Sequence, residues 1–176
     1  MLRFIIAFLL LQAALFGAEL TPWAQQYLVV PWTNTLARVA TGLVVLFDPG
    51  VVAAGKVIRS TGSGFAVSIE AGCNGIEAMI VLLAAMLAFP APWKNRLVGF
   101  AVGTVAVQGL NVVRVISLFY LGQWSFRLFE FAHLYVWQVL IMLDVLVVWL
   151  IWLRTLPRPA QGRESGPPAV AGNASA

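Results

Sequence analysis

Two stretches of this chain leave little choice of fold. Residues 97–119 hold one charge, Arg114, and residues 133–153 hold one, Asp144. A helix crosses the hydrocarbon core of a bilayer with about 20 apolar residues. In that medium every backbone polar group must be satisfied within the protein, so such runs are helical spans. Residues 2–18 and 76–89 read as two more. The latter is short, so its start is placed near Asn74, and Pro90 and Pro92 end it because proline cannot continue a helix interior. A fifth stretch, 36–47, is too short to span and reads as an interfacial or re-entrant helix. The composition agrees: 61% hydrophobic, 10% charged and a mean hydropathy of +0.89, far from soluble domains.

The expected fold is therefore an all-α integral membrane protein, a bundle of about four transmembrane helices. Residues 1–156 form one domain, and 157–176, rich in Pro, Gly, Ala and Ser, read as a disordered cytoplasmic tail. Residues 2–18 resemble a signal peptide in carrying Arg3 and the Gly17-Ala18 pair. Phe16 spoils the cleavage pattern, so an uncleaved anchor is expected.

Lys and Arg outnumber Asp and Glu by 11 to 7. In a membrane protein this excess reports orientation rather than nucleic-acid binding. Lys94 and Arg96 lie between the second and third spans, Arg154, Arg158 and Arg163 follow the last, and Arg3 precedes the first. Four crossings with both termini cytoplasmic put all three groups inside. Residues 19–73 and 120–132 are then extracytoplasmic, although Arg38, Lys56, Arg59 and Arg127 remain there. On that outer side, Phe65, Val67 and Ile69 alternate with Ala66, Ser68 and Glu70. This is strand period, and with a loop over residues 60–64 it predicts a small β-hairpin. The aromatic stretch 121–132 reads as a segment lying at the headgroup level.

Three reactive side chains share that outer side: Cys73, the single cysteine, Arg114, and His133, the single histidine. A thiolate is the nucleophilic form of cysteine, and helix N-termini and cations lower its pKa. Cys73 precedes a helix, and Arg114 is its candidate cation. Histidine moves protons near neutrality. Thr104, Gln108 and Asn111 recur at helical spacing before Arg114, giving the third helix a polar stripe toward the bundle interior. Each residue has a plainer reading as well. Cysteine packs well as a small apolar residue, and a histidine at a helix end bonds at the interface. Arg114 can pair with Glu77, one turn past Cys73, as a structural ion pair. Asp144, three turns from His133 on one face, is a buried hydrogen-bonder or a proton-relay member. One His and one Cys make no metal site, and the sequence carries no nucleotide fingerprint. No cofactor is expected.

The run Ala71-Gly72-Cys73-Asn74-Gly75-Ile76, then Asn111-Val112-Val113-Arg114, then Phe131-Ala132-His133, resembles the exosortase/archaeosortase family in motif content and order. The resemblance covers roughly residues 36–153, and the short length is similar to the small members such as exosortase H. Gly72 immediately before the cysteine departs from the family pattern without removing a reactive group.

The resemblance implies a membrane cysteine transpeptidase or protease in the inner membrane of a bacterium. Its substrates would be exported proteins with a C-terminal sorting signal: a short motif, a transmembrane helix and a basic tail. For exosortase H relatives the motif resembles Ile-Pro-Thr-Leu-x-x-Trp-Gly. The substrate helix would dock through the surrounding lipid. Cys73 would be the nucleophile, Arg114 a stabiliser of thiolate or oxyanion, and His133 the acid and base. Asn74, Gly75, Glu77 and Asn111 would support them. The acceptor is left open, since water would make the same site a protease. A non-catalytic subunit of an export or transport assembly stands as the alternative, in which Arg114, Glu77 and Asp144 are interhelical contacts.

Overall fold

A computed structural model describes residues 1–157, so the tail expected at 157–176, with Arg158 and Arg163, lies outside the described residues except for Pro157. The chain is mostly helical. Helix α1 (Leu2–Glu19) is followed by a short α2 (Pro22–Ala24), a π turn (Gln25–Val29) and α3 (Val30–Val44). Three strands come next, then α4 (Ile76–Ala88) and the long α5 (Trp93–Trp124). After a break, α6 (Phe126–Phe131), a second π turn (Ala132–Val136) and α7 (Trp137–Thr155) run on as one helical rod. Three helices are long and apolar enough to span a membrane: Leu2–Glu19, Trp93–Trp124 and Phe126–Thr155. Helix α4 is equally apolar but shorter. Much of α1 and α7 turns large apolar side chains outward, among them Ile5, Leu9, Val139, Leu143 and Leu150, as lipid-facing helices do.

Sequence chemistry explains the breaks. Phe89 adopts an extended backbone, φ −82° and ψ 134°, the conformation a following proline demands. α4 therefore stops at Ala88, and Pro92 caps the start of α5. Arg96 folds back so that its Nη2 donates to Phe89 O at 2.9 Å, satisfying a carbonyl that the ended helix leaves open. The chain packs Phe4 of α1 against Phe89 and Trp149, at ring separations of 6.2 and 6.0 Å. Trp152 donates to Asn95 O at 2.9 Å. The start of α1, the end of α4, the start of α5 and the end of α7 therefore meet at one end of the bundle, which carries Arg3, Lys94, Arg96 and Arg154.

Three expectations need correction. The outer β element is a three-stranded antiparallel sheet of β1 (Val51–Ala54), β2 (Val57–Ser60) and β3 (Ala66–Ser68), in the order β1-β2-β3. The expected hairpin is its β2-β3 half. The missed β1 turns into β2 through Gly55, whose φ of +61° suits a two-residue hairpin loop. Residues 121–132 are not one segment: α5 continues to Trp124, the chain breaks at the extended Ser125 (φ −157°, ψ 120°), and α6 follows. The helix expected at 36–47 begins earlier, at Val30, and ends at Val44. It carries Leu36, Ala37, Ala40 and Val44 into a core shared with Val51 and Ile58 of the sheet, Ile69 just beyond it, and Val115 and Phe119 of α5. The sheet is thus anchored on α3 and the upper part of α5, and its last strand leads straight to Cys73.

Candidate active site

Cys73 sits in a tight loop between β3 and α4, and two positive-φ glycines shape that loop. Gly72 has φ +82° and Gly75 φ +75°, a region where side-chain-bearing residues are strained. Cys73 N–H donates to Glu70 O at 2.9 Å, closing a turn just past the end of the strand. Asn74, 1% exposed, is clamped from three directions. Its Nδ2 donates to Thr33 Oγ1 at 3.1 Å, its Oδ1 accepts from Ile76 N–H at 3.0 Å, and its carbonyl accepts from Trp32 Nε1 at 3.2 Å. Trp32 and Thr33 lie on α3, more than forty residues away, and no local sequence signal marks them.

Arg114 approaches from α5, where it is 3% exposed. Its Nη1 donates to Gly72 O at 3.3 Å and its Nη2 to Cys73 Sγ at 3.5 Å. One guanidinium therefore holds both the loop and the sulfur. His133 comes from the π turn after α6. A π turn admits one extra residue and re-aims the side chains around it, and such turns recur at functional sites. The ring stacks on Phe129 at 5.6 Å and 5°. Both ring nitrogens lie 3.9 Å from Cys73 Sγ. Equal distances mean that neither nitrogen is aimed at the sulfur, and a small ring rotation would bring one into line.

The structure thus brings Cys73, Arg114 and His133 together from a loop and two helices. It places Glu77 differently from the ion pair expected with Arg114. Glu77 Oε1 accepts the N–H of Gly72 at 2.5 Å. Among the described residues the ion pair is Lys56 with Glu70. Gly72 is consequently gripped at both ends, its N–H by Glu77 and its C=O by Arg114. Asn111 is fully buried and Gln108 nearly so, with their side-chain polar atoms unpartnered. They pack beneath Gly75, where an added Cβ would stand 2.7 Å from Gln108 Nε2. Asp144 does not join the cluster. The π turn lies between it and His133 and breaks the shared face that uniform helical spacing implies.

Burial pushes the Cys73 thiol above its ordinary pKa; Arg114 pulls it down, and Glu77 and Glu70 push it further up.

A family model described as transmembrane exosortase matches residues 1–150. The chain belongs to the transmembrane exosortase family. No curated protein and no solved structure matches it. In this exosortase Arg114 divides two cavities. A cleft of about 30 Å³ is walled by Val67, Ser68, Ile69, Cys73, Phe129 and His133. A larger cavity of about 220 Å³ lies on the other side of Gly72, among Gln12, Glu77, Gln138 and apolar residues of α4 and α7. Among the described residues no group of three or more His, Cys, Asp or Glu gathers as metal ligands do.

Proposed function

We propose that this exosortase is a membrane cysteine transpeptidase that cleaves the C-terminal sorting signal of exported proteins. The observation that carries the reading is the convergence on one sulfur of Arg114 Nη2 at 3.5 Å and both His133 nitrogens at 3.9 Å. Cys73 Sγ attacks the scissile carbonyl as His133 takes its proton. The new C–S bond leaves a tetrahedral oxyanion. Arg114 faces developing negative charge, first on sulfur and then on that oxygen. The C–N bond breaks as His133 returns the proton to the leaving amine, and a thioester remains. His133 then deprotonates the acceptor, which attacks the thioester and releases the sulfur.

The membrane arrangement follows from helix length. Lys94 and Arg114 are twenty positions apart on α5, about 30 Å of helix, which is the thickness of the hydrocarbon core. With the basic end of the bundle in the cytoplasm, Arg114 reaches the outer boundary of the inner membrane. The sheet and the last turns of α5 stand beyond it. α1, α4, α5 and the α6–α7 rod make four crossings, with both termini cytoplasmic. The substrate's own transmembrane helix approaches through lipid and presents its motif at the Cys73 cleft.

A cleavage assay in cells tests this. An exported reporter ending in the motif, an apolar helix and a basic tail is co-expressed with the wild-type chain or with Cys73→Ala. Tail loss with wild type alone is expected, and the mass of the new C-terminus separates transfer from hydrolysis. Equal processing by the two forms would remove Cys73 from the chemistry and favour a non-catalytic membrane subunit.

A further inference from the structure

Strand β3 pairs on one side only, since the sheet order is β1-β2-β3. Its register sets Val57 opposite Ser68, Ile58 opposite Val67 and Arg59 opposite Ala66. Bonds from Ser60 N–H to Phe65 O and from Ile69 N–H to Lys56 O bracket that register. In an antiparallel ladder, pairs that exchange hydrogen bonds alternate with pairs that do not. Residues 65, 67 and 69 therefore turn their backbone groups toward β2. Ala66 and Ser68 turn theirs away, to the open edge. Among the described residues no group bonds the N–H or C=O of either one, and both residues are exposed. Sheets ordinarily blunt such an edge with lysine, proline or a bulge; the Ala-Val-Ser of β3 has no such residue.

This open edge runs into the cysteine. Val67, Ser68 and Ile69 form one wall of the cleft that also holds Cys73, Arg114 and His133. The turn closed by Cys73 N–H and Glu70 O places the thiol just past the end of the strand. An extended chain lying along Ala66 and Ser68 would arrive at the sulfur.

We propose that the edge of β3 is the substrate-binding site, on which an extended segment of the exported protein beside the scissile bond adds as a fourth strand. The inference rests on the transpeptidase reading and deepens it by assigning the peptide-binding site. An N–H and a C=O repeating every second residue match a polypeptide backbone, whereas a lipid offers no such pattern. Backbone pairing fixes the segment's extended shape and its register against Cys73. Selectivity then falls to the alternate side chains that the added strand turns into the cleft.

Proline separates the edge from the fold. At position 66 or 68 it deletes an outward N–H and no bond to β2, and edge strands tolerate proline so placed. In the reporter assay, Ala66→Pro and Ser68→Pro are each expected to slow tail removal about tenfold or more, the cost of a lost backbone hydrogen bond and an unpaired substrate carbonyl. Alkylation of Cys73 by a maleimide at the wild-type rate shows that the loop is intact. Wild-type processing by both proline variants, with Cys73→Ala inactive, overturns the edge site and leaves the transpeptidase reading standing. Equal processing by wild type and Cys73→Ala sinks that reading itself. If the proline variants lose their alkylation, crosslinking decides: a photoreactive benzophenone residue in place of Ala66, in the Cys73→Ala background, must attach to the reporter's motif. Attachment only to a second copy of this chain, or no attachment, overturns the proposal.

Discussion

At the basic end of the bundle, Phe4, Phe89, Trp149 and Trp152 form a cluster of stacked and edge-on rings, with neighbouring centroids 6.0–6.4 Å apart. At the cysteine end, beside the core of α3, the sheet and α5, the seven-residue loop is held by hydrogen bonds, several of them made by single side chains reaching from distant helices. Aromatic packing is redundant, because many small contacts share the energy. The cysteine loop is not redundant: Gly72, Cys73 and Asn74 each rely on two or three named groups. The comparison teaches that packing holds the aromatic end of the bundle, whereas the cysteine loop is placed by specific hydrogen bonds. Loss of a contact should therefore affect stability at the first end and processing at the second.

The largest break in that comparison should come from Arg114→Ala. It removes the bonds to Gly72 O and Cys73 Sγ together, and with them the positive charge facing the oxyanion. Tail processing is expected to fall about a hundredfold or more, read as the initial rate of reporter conversion. Arg114→Lys should recover little, because a point ammonium cannot serve two acceptors in the fork of a guanidinium. Full activity in either variant would reassign Arg114 to structure.

Two glycines give the next contrast. Gly75→Ala meets a positive φ and the amide of Gln108 at 2.7 Å, which displaces the start of α4 and the thiol with it. Processing should drop about tenfold or more, for a conformational cost of about 1–2 kcal/mol. Gly99→Ala meets Trp152 at 2.1 Å on the packed side of the bundle. Overpacking costs about 1–3 kcal/mol, so its melting temperature in detergent should fall. The folded fraction should process the reporter at the wild-type rate. If Gly99→Ala damaged processing more than Gly75→Ala did, the division between the two ends would fail.

This division also sorts what the sequence could reveal. The spans were legible because lipid imposes length and apolarity on contiguous residues. The end of α4 was legible because proline acts on its immediate neighbours, whereas its start, expected near Asn74, lies at Ile76. Cys73, Arg114 and His133 could be gathered on one side from hydropathy and charge alone. What stayed hidden depends on contacts between distant residues or on a change of helical period. Trp32 and Thr33 clamp Asn74 across forty residues of chain, and the π turn at His133 shifts the phase that uniform spacing assumes. β1 was missed because the two residues of its turn, Gly55 and Lys56, carry only a weak hairpin signal. Glu77 was paired with Arg114 because it lies one turn past Cys73, although its carboxylate reaches the N–H of Gly72.

The smallest effect distinguishes holding the loop from tuning the sulfur. Glu77→Gln keeps an oxygen for Gly72 N–H but exchanges a charge-assisted hydrogen bond for a neutral one, about half as strong. Processing should fall only a few-fold. The thiol should respond in the opposite sense. Burial raises the Cys73 pKa and Glu77 adds to the rise, whereas Arg114 opposes it. The thiolate fraction near neutrality is therefore below that of a free thiol, whose pKa is about 8.5. Alkylation of the wild-type protein should keep accelerating above that pH. Removing the Glu77 charge should move the midpoint down, and Arg114→Ala should move it up. A variant whose cysteine ionises more readily but processes more slowly would show that the Gly72 grip limits the reaction more than thiol acidity does. If both variants shifted the midpoint in the same direction, the loop would have rearranged and Glu77 would be structural in the ordinary sense.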